Sequence, residues 1–155
     1  MTFRIGYYTR RSPVELQSIQ DPYSFCQQLF EKKYGKHANS EQEHYYFDVC
    51  EVRNTANCPQ MIRMLRDCMN GRINLVVVES SQRTAKNMHA LFYWLYFMLH
   101  LDHQVEIIIC DAINTMTNID MRQRVIKATE NIIASMPDEY VRWKHEVLIA
   151  IGNVH

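Results

Sequence analysis

Glycine and proline are scarce, with four of each in 155 residues, which excludes a collagen-like or linker-rich chain. Neither sign of charge is in surplus: seventeen Lys and Arg balance seventeen Asp and Glu, for a formal net charge of +0 at pH 7. A dedicated nucleic-acid binder carries a basic excess, so any contact with DNA must be local or supplied by partners. No apolar run reaches the ~18 residues of a bilayer span, and the longest, Ala90 to Leu99, is too short. The first ten residues carry Arg4 and Arg10 but no signal-like apolar stretch, so the expected location is cytoplasmic, with no membrane partner. Cys26, Cys50, Cys58, Cys68 and Cys110 form no CxxC pair; reduced thiols rather than a disulfide framework are expected. His100 and His103, with Cys110 further on, lack a second ligand pair at finger-like distance, so neither a structural metal nor a cofactor is expected.

What is present is enough apolar material for one domain. Hydrophobic residues make up 47% of the chain, and a core of this size buries roughly two thirds of the unfolded surface. Phe3, Ile5 and Tyr7 alternate with Arg4, Gly6 and Tyr8 as a short strand. Ser12-Pro13-Val14-Glu15 is a capping box with Pro at the first helical position. An apolar-periodic stretch runs from Tyr23 through Phe25, Cys26, Leu29 and Phe30 towards Tyr34-Gly35, and Lys36 to Glu43 is loop-like. Tyr45 to Val49 is a second strand, and Glu51 to Pro59 has the texture of a flexible loop. Met61, Met64, Leu65, Cys68 and Met69 follow helical spacing up to Asn70-Gly71. Ile73 to Val78 is a strand buried on both faces, and a polar turn from Glu79 to Lys86 leads into a helix from Asn87 to about Leu101. Val105 to Cys110 is a further buried strand. This alternation is the grammar of a parallel α/β sheet. Ile119 to Ala134 is helical, Ser135-Met136-Pro137-Asp138 interrupts and restarts it, and Tyr140, Val141, Trp143, Val147, Leu148 and Ile151 continue an apolar stripe. That stripe must fold back on the sheet or meet a partner chain.

Ligands of open α/β sheets bind outside the carboxyl ends of the strands. Those ends carry Arg10, Arg11 and Ser12, then Asp48, then Ser80 to Lys86. Two arginines, a lysine and a capping serine around a helix start form a phosphate site, where a serine can attack phosphorus if its proton has somewhere to go. There is no Gly-rich P-loop and no carboxylate cluster for magnesium. The bland readings remain open: Ser12 as a cap, Asp48 as a helix cap or loop anchor, Arg10 and Arg83 as solvated strand-end charges.

Tyr8-Thr9-Arg10-Arg11-Ser12 resembles the Tyr-x-Arg-x-Ser opening of the serine recombinases, the resolvase/invertase family. The likeness continues in order through Phe47-Asp48, the loop and helix Thr55 to Leu65, the turn and strand Gly71 to Val78, and Ser81 to Asn87, which is similar to the family's Asp-Arg-x-x-Arg-Asn stretch. It covers about residues 3–115. The resemblance implies a resolvase-like, open, mostly parallel sheet flanked by helices over residues 1–115. A C-terminal dimerisation-type helical extension over 116–155 would follow, too short to include a DNA-binding module. It further implies metal-free strand transfer through a 5′-phosphoserine link: Ser12 as nucleophile, Arg10 as phosphate clamp, Arg83 as transition-state arginine and Asp48 as its acidic partner. Arg11 and Lys86 would add phosphate contacts; Arg53, on its proximity in sequence alone, is expected to swing in from its loop as a further phosphate contact in place of a guanidinium missing at Cys58.

The chain also departs from the family. Cys58 stands where the family has an arginine, Lys86 replaces the second arginine of the later stretch, Gln82 replaces its Asp, and Pro22 aligns with a glutamine. Arg to Lys loses the fork, and one lost preorganised donor costs ~3–4 kcal/mol. Three functions follow: a recombinase domain slowed by lost arginines, an inactive relative acting by oligomerisation or regulation of DNA transactions, and an unrelated phosphate-binding module of the same fold. The expected partners are double-stranded DNA, a second copy in a homodimer or higher oligomer, and a full-length recombinase.

Overall fold

The computed structural model describes residues 2–15, 23, 24, 27, 28, 31, 40–51, 54–110 and 119–154. Pro22, Arg53 and most of the apolar stretch between Tyr23 and Tyr34 lie outside the described residues. Four strands form one sheet: β1 (Phe3–Arg11), β2 (Ser40–Val49), β3 (Leu75–Val78) and β4 (Glu106–Ile109), in the order β2-β1-β3-β4 with every pairing parallel. β1 lies in the middle and is buried along nearly its whole length, which is why its sequence is only weakly alternating. It outruns the expected short strand because Thr9, Arg10 and Arg11 pair with Phe47, Asp48 and Val49. β2 in turn begins at Ser40, inside the stretch expected to be loop; the exposed Gln42 and Glu43 carry no apolar signal, and backbone pairing with β1 makes this part a strand.

Two glycines matter to the packing. A Cβ at Gly6 would stand 2.9 Å from Cδ1 of Ile73, so the Ile73 side chain packs into the space this glycine leaves on β1. Gly71, at φ +76°, takes the left-handed position that ends the preceding helix, a conformation glycine adopts without steric cost.

That helix, α1 (Pro59–Met69), buries Met61, Ile62, Met64, Leu65 and Cys68 against the sheet. The loop before it is not the flexible segment expected from its composition. Residues Thr55–Asn57 form a 3₁₀ turn with Thr55 buried, and Thr55 Oγ1 accepts a hydrogen bond from Trp143 Nε1 at 3.2 Å. A contact spanning 88 residues leaves no trace in local periodicity. The polar turn after β3 contains a short helix, α2 (Ser81–Thr84), capped by Ser80 Oγ. Next comes α3 (Met88–Leu99), capped by Asn87 Oδ1 on Ala90 N at 2.9 Å and buried on most of its circumference, with Trp94 fully enclosed.

The chain ends in α4 (Ile119–Ser135) and α5 (Pro137–Gly152). The break falls at the expected place, but Ser135 does not cap α5: its hydroxyl donates back to Ile132 O at 2.7 Å. Met136 takes the cap position, with Asp138 and Glu139 in the first turn of α5, where carboxylates favour the helix dipole. α4 packs on α3 with Thr129 buried. α5 turns back onto α1 and α3, burying Tyr140 and Val147 and stacking Trp143 on Tyr140. The inner half of the C-terminal stripe is therefore covered by the chain itself, whereas Val141, Leu148 and Ile149 face outward. Among the described residues no helix is long and apolar enough to cross a membrane.

Candidate active site

From β1 the chain moves to β2 on one side, then returns past β1 to β3 on the other. The order therefore reverses between β1 and β3, and the loops leaving those two strands diverge. Such a switch point opens a crevice at the carboxyl edge of an open sheet. Arg10 and Arg11 are the last residues of β1 and Ser12 follows them; Glu79, Ser80 and α2 follow β3.

Three cations, Arg10, Arg83 and Lys86, line this crevice and a fourth, Arg11, stands beside it, each held differently. Arg10 is 8% exposed; its Nη1 donates to Cys50 O at 3.0 Å and its Nη2 to Gln82 O at 3.4 Å. Arg11 turns its fork onto Glu79, Nη1 to Oε2 at 2.6 Å and Nη2 to Oε1 at 2.8 Å, the two-bond geometry that suits guanidinium to carboxylate. Thr9 donates its hydroxyl to the same Glu79 oxygen. Burial works to raise the Glu79 carboxyl, but hydrogen bonds from Arg11 and Thr9 and the charges of Arg11 and Arg83 outweigh it and hold it below its ordinary value. Arg83 donates from Nη1 to Arg10 O at 3.0 Å and from Nη2 to Glu15 Oε2 at 2.8 Å, with Nε 3.8 Å from Glu79. The bond to Glu15, against a smaller effect of burial, holds Arg83 above its ordinary value. Lys86 is exposed and lines the cleft.

Ser12 closes the expected capping box. Its N–H donates to Glu15 Oε1 at 3.0 Å, and its Oγ accepts from Glu15 N at 3.2 Å. The bond from Arg83, then that from Ser12, lower the Glu15 carboxyl to about 2. The crevice itself is a cleft of about 540 Å³, with Arg10, Glu15, Gln82, Arg83, Lys86 and Leu91 among its lining. Among the described residues Glu15 rather than Ser12 is on that wall.

Asp48 stands apart. It is 3% exposed, and its carboxylate accepts from Gln60 N at 2.9 Å, Met61 N at 3.0 Å and Tyr8 OH at 2.9 Å. It satisfies the first turn of α1 from the end of β2 and does not pair with Arg83; the acidic partners of Arg83 are Glu15 and Glu79. Burial beside Asp48 pushes the Tyr8 hydroxyl far above its ordinary value. Cys58 is 6% exposed on the same side, and burial, then the neighbouring Cys50 and Asp48, push its thiol up to about 12. The nearby charge of Arg10 opposes that shift without overcoming it, and Arg53 lies outside the described residues.

The structure thus puts Arg10, Arg83 and Lys86 on one cleft, ties Ser12 to Arg83 through Glu15, commits Arg11 to Glu79 beside it, and leaves Asp48 as a helix cap. Sequence reasoning missed Glu79, Thr9 and the second role of Glu15. Glu15 was visible as a capping-box partner, and Glu79 as the residue ending a β-branched run, but neither signal says which cation a carboxylate will meet. Among the described residues no three His, Cys, Asp or Glu side chains stand close enough to hold a metal.

No protein-family model and no curated protein matches the sequence. Among solved structures the chain is similar to the N-terminal catalytic domain of TP901-1 integrase. The TM-score is 0.60 at 15% sequence identity, over 86% of this chain and 96% of that one. At that identity the likeness establishes the fold: a resolvase-like, mostly parallel four-stranded sheet flanked by helices, the class expected from the sequence.

Proposed function

We propose that this chain is a DNA strand-transfer domain of the serine-recombinase type, working without metal or cofactor. The observation that carries this reading is the linkage of Ser12, through Glu15, to Arg83, which also bonds the carbonyl of Arg10, at the switch point between β1 and β3. The fold shared with an integrase catalytic domain supports it. Ser12 Oγ bonds to phosphorus as the P–O3′ bond breaks; the 3′ oxygen takes up a proton, the serine proton leaves to solvent, and the 5′ phosphate stays on Ser12. Rejoining runs the same steps backwards. Arg83 and Arg10 face the charge that develops on the phosphoryl oxygens, where preorganised donors contribute most. Lys86 adds a phosphate contact as a point charge, whereas Arg11, committed to Glu79, holds that carboxylate beside the site. Asp48 is a positioning residue that holds the start of α1 and Tyr8 beneath the arginines.

Neutral overall charge limits autonomous affinity for a polyanion. We therefore propose double-stranded DNA as substrate for a homodimer or higher oligomer, or for this chain beside a full-length recombinase. The test is a trap. Supercoiled DNA from the gene's own neighbourhood is incubated with the protein, the mixture is denatured, and a covalent protein–DNA adduct is sought. The expected adduct vanishes in Ser12→Ala; an adduct that survives the substitution overturns the assignment of the nucleophile.

A second reading, a relative that binds and assembles without cutting, is favoured by one observation. The arginine position of the family is taken by a buried thiol, Cys58, which supplies no cation. Under it the natural chain forms no adduct, while the double variant Cys58→Arg, Lys86→Arg does.

A further inference from the structure

We propose that Glu15 is a resident anion of the phosphate site: its carboxylate occupies the place of phosphate oxygens between Ser12 and Arg83, and a phosphodiester reaches Ser12 only by displacing it. The inference rests on the phosphate-site reading above and concerns what fills that site before substrate arrives.

Three observations support it. The donors Glu15 holds are those a bound phosphate needs: the backbone N–H of Ser12 at 3.0 Å and the Nη2 of Arg83 at 2.8 Å. Glu15 also lines the cleft that Arg10, Arg83 and Lys86 surround, in front of the serine it bonds.

The second observation is a contrast between two carboxylates that share Arg83. Glu79 has a 17% exposed side chain, is gripped by both Nη atoms of Arg11 and is further bound by Thr9. Glu15 has a 40% exposed side chain and sits just beyond Pro13 and Val14, both open to solvent. Glu79 is fixed and Glu15 is exchangeable. With both in place their charges cancel those of Arg11 and Arg83; removing Glu15 frees one cation for an incoming anion.

The third is that Arg83 does not depend on Glu15 for its position. Its Nη1 still donates to Arg10 O and its backbone N to Ser80 Oγ. Acid cannot serve as the release, because the Glu15 carboxyl lies at about 2 and stays ionised at neutral pH. A competing polyanion can.

The test compares wild type with Glu15→Gln in the full chain, using a fluorescein-labelled duplex DNA of arbitrary sequence titrated over a range of NaCl concentrations. The amide keeps the backbone N–H that caps Ser12 Oγ, and it can still accept from Ser12 N, so only the charge is removed. The expected result is binding on the order of 10-fold tighter at low salt. The slope of log affinity against log salt steepens by ~0.9, the signature of one further phosphate contact. Adding Arg83→Ala to Glu15→Gln cancels both gains. Equal affinity and equal slope in Glu15→Gln and wild type overturn the inference, and so does a gain that survives loss of Arg83. Glu15→Ala, checked by its own thermal melt, takes the place of the amide variant in the same titration if the latter does not fold. The Ser12 adduct assay separates the two failures. A wild-type adduct with unchanged Glu15→Gln binding sinks the resident anion alone, while tighter Glu15→Gln binding without an adduct removes strand cleavage and leaves the resident anion standing.

Discussion

Among the described residues the carboxyl ends of β1, β2 and β3 open onto two exits, and they are built on opposite principles. Beyond β2, polar groups are sealed in: Asp48 is consumed by two helix N–H groups and Tyr8, and Cys50 and Cys58 fill the remaining space. Beyond β1 and β3, charges are left at the rim of an open cleft, paired with one another but reachable by solvent. Both exits hold carboxylates. At the sealed exit the carboxylate has no alternative partner, so its bonds specify the fold. At the open exit water or an anion can substitute for Glu15, so its bonds set occupancy. A carboxylate within reach of an arginine cluster is thus structural or functional according to whether anything else can take its place.

The sharpest way to break this contrast is Asp48→Ala. It strands two N–H groups of α1 and the buried Tyr8 hydroxyl, and it should cost ~3–5 kcal/mol of stability in urea unfolding. A loss below ~1 kcal/mol would mean that water reaches the sealed exit and that the two exits do not differ in kind. Glu79→Gln comes next, at about 2 kcal/mol, because Arg11 loses a charged two-bond partner while staying only partly desolvated. It carries a pH signature as well. The folded-state carboxyl of Glu79 lies below its ordinary value of 4.5, so its stabilisation is complete above about pH 4.5 and fades as pH falls through the lower folded value. Wild type should lose urea resistance in that acid range faster than Glu79→Gln. Parallel curves would show that the Arg11 pair contributes nothing to stability.

Much of this was legible beforehand. The parallel α/β architecture follows from Ile73 to Val78 and Val105 to Cys110, apolar runs broken only by Asn74 and Glu106 that a doubly covered sheet buries. The capping box at Ser12 and Glu15 and the helix stop at Gly71 are local devices and could be read locally. The grouping of Arg10, Arg11 and Arg83 follows from strand ends meeting at a switch point. What escaped was partner choice. Asp48 and Glu79 both end strands, yet one meets a helix start and the other an arginine fork, and that depends on which side of β1 each strand is laid. The ordered turn at Thr55 escaped for a related reason: its anchor, Trp143, arrives from the far end of the chain.

Lys86 gives the smallest effect and the finest test of the open exit. It is exposed, and no hydrogen bond or ion pair involving it is seen among the described residues. Lys86→Ala should therefore leave urea stability within about 0.5 kcal/mol of wild type. Its role is to meet an anion that has already entered the cleft, so the loss belongs in binding. Duplex DNA affinity should fall about 3-fold and the salt slope flatten by ~0.9, in the sense opposite to Glu15→Gln. Because no hydrogen bond or ion pair joins Lys86 to the Glu15–Arg83 pair among the described residues, the two changes should add in the double variant, as they do for sites without shared partners. Strong non-additivity would place Lys86 in direct contact with the Glu15 carboxylate in solution. The exchangeable anion would then be held by two cations, and the contrast between the exits would be narrower than the distances at Glu15 imply.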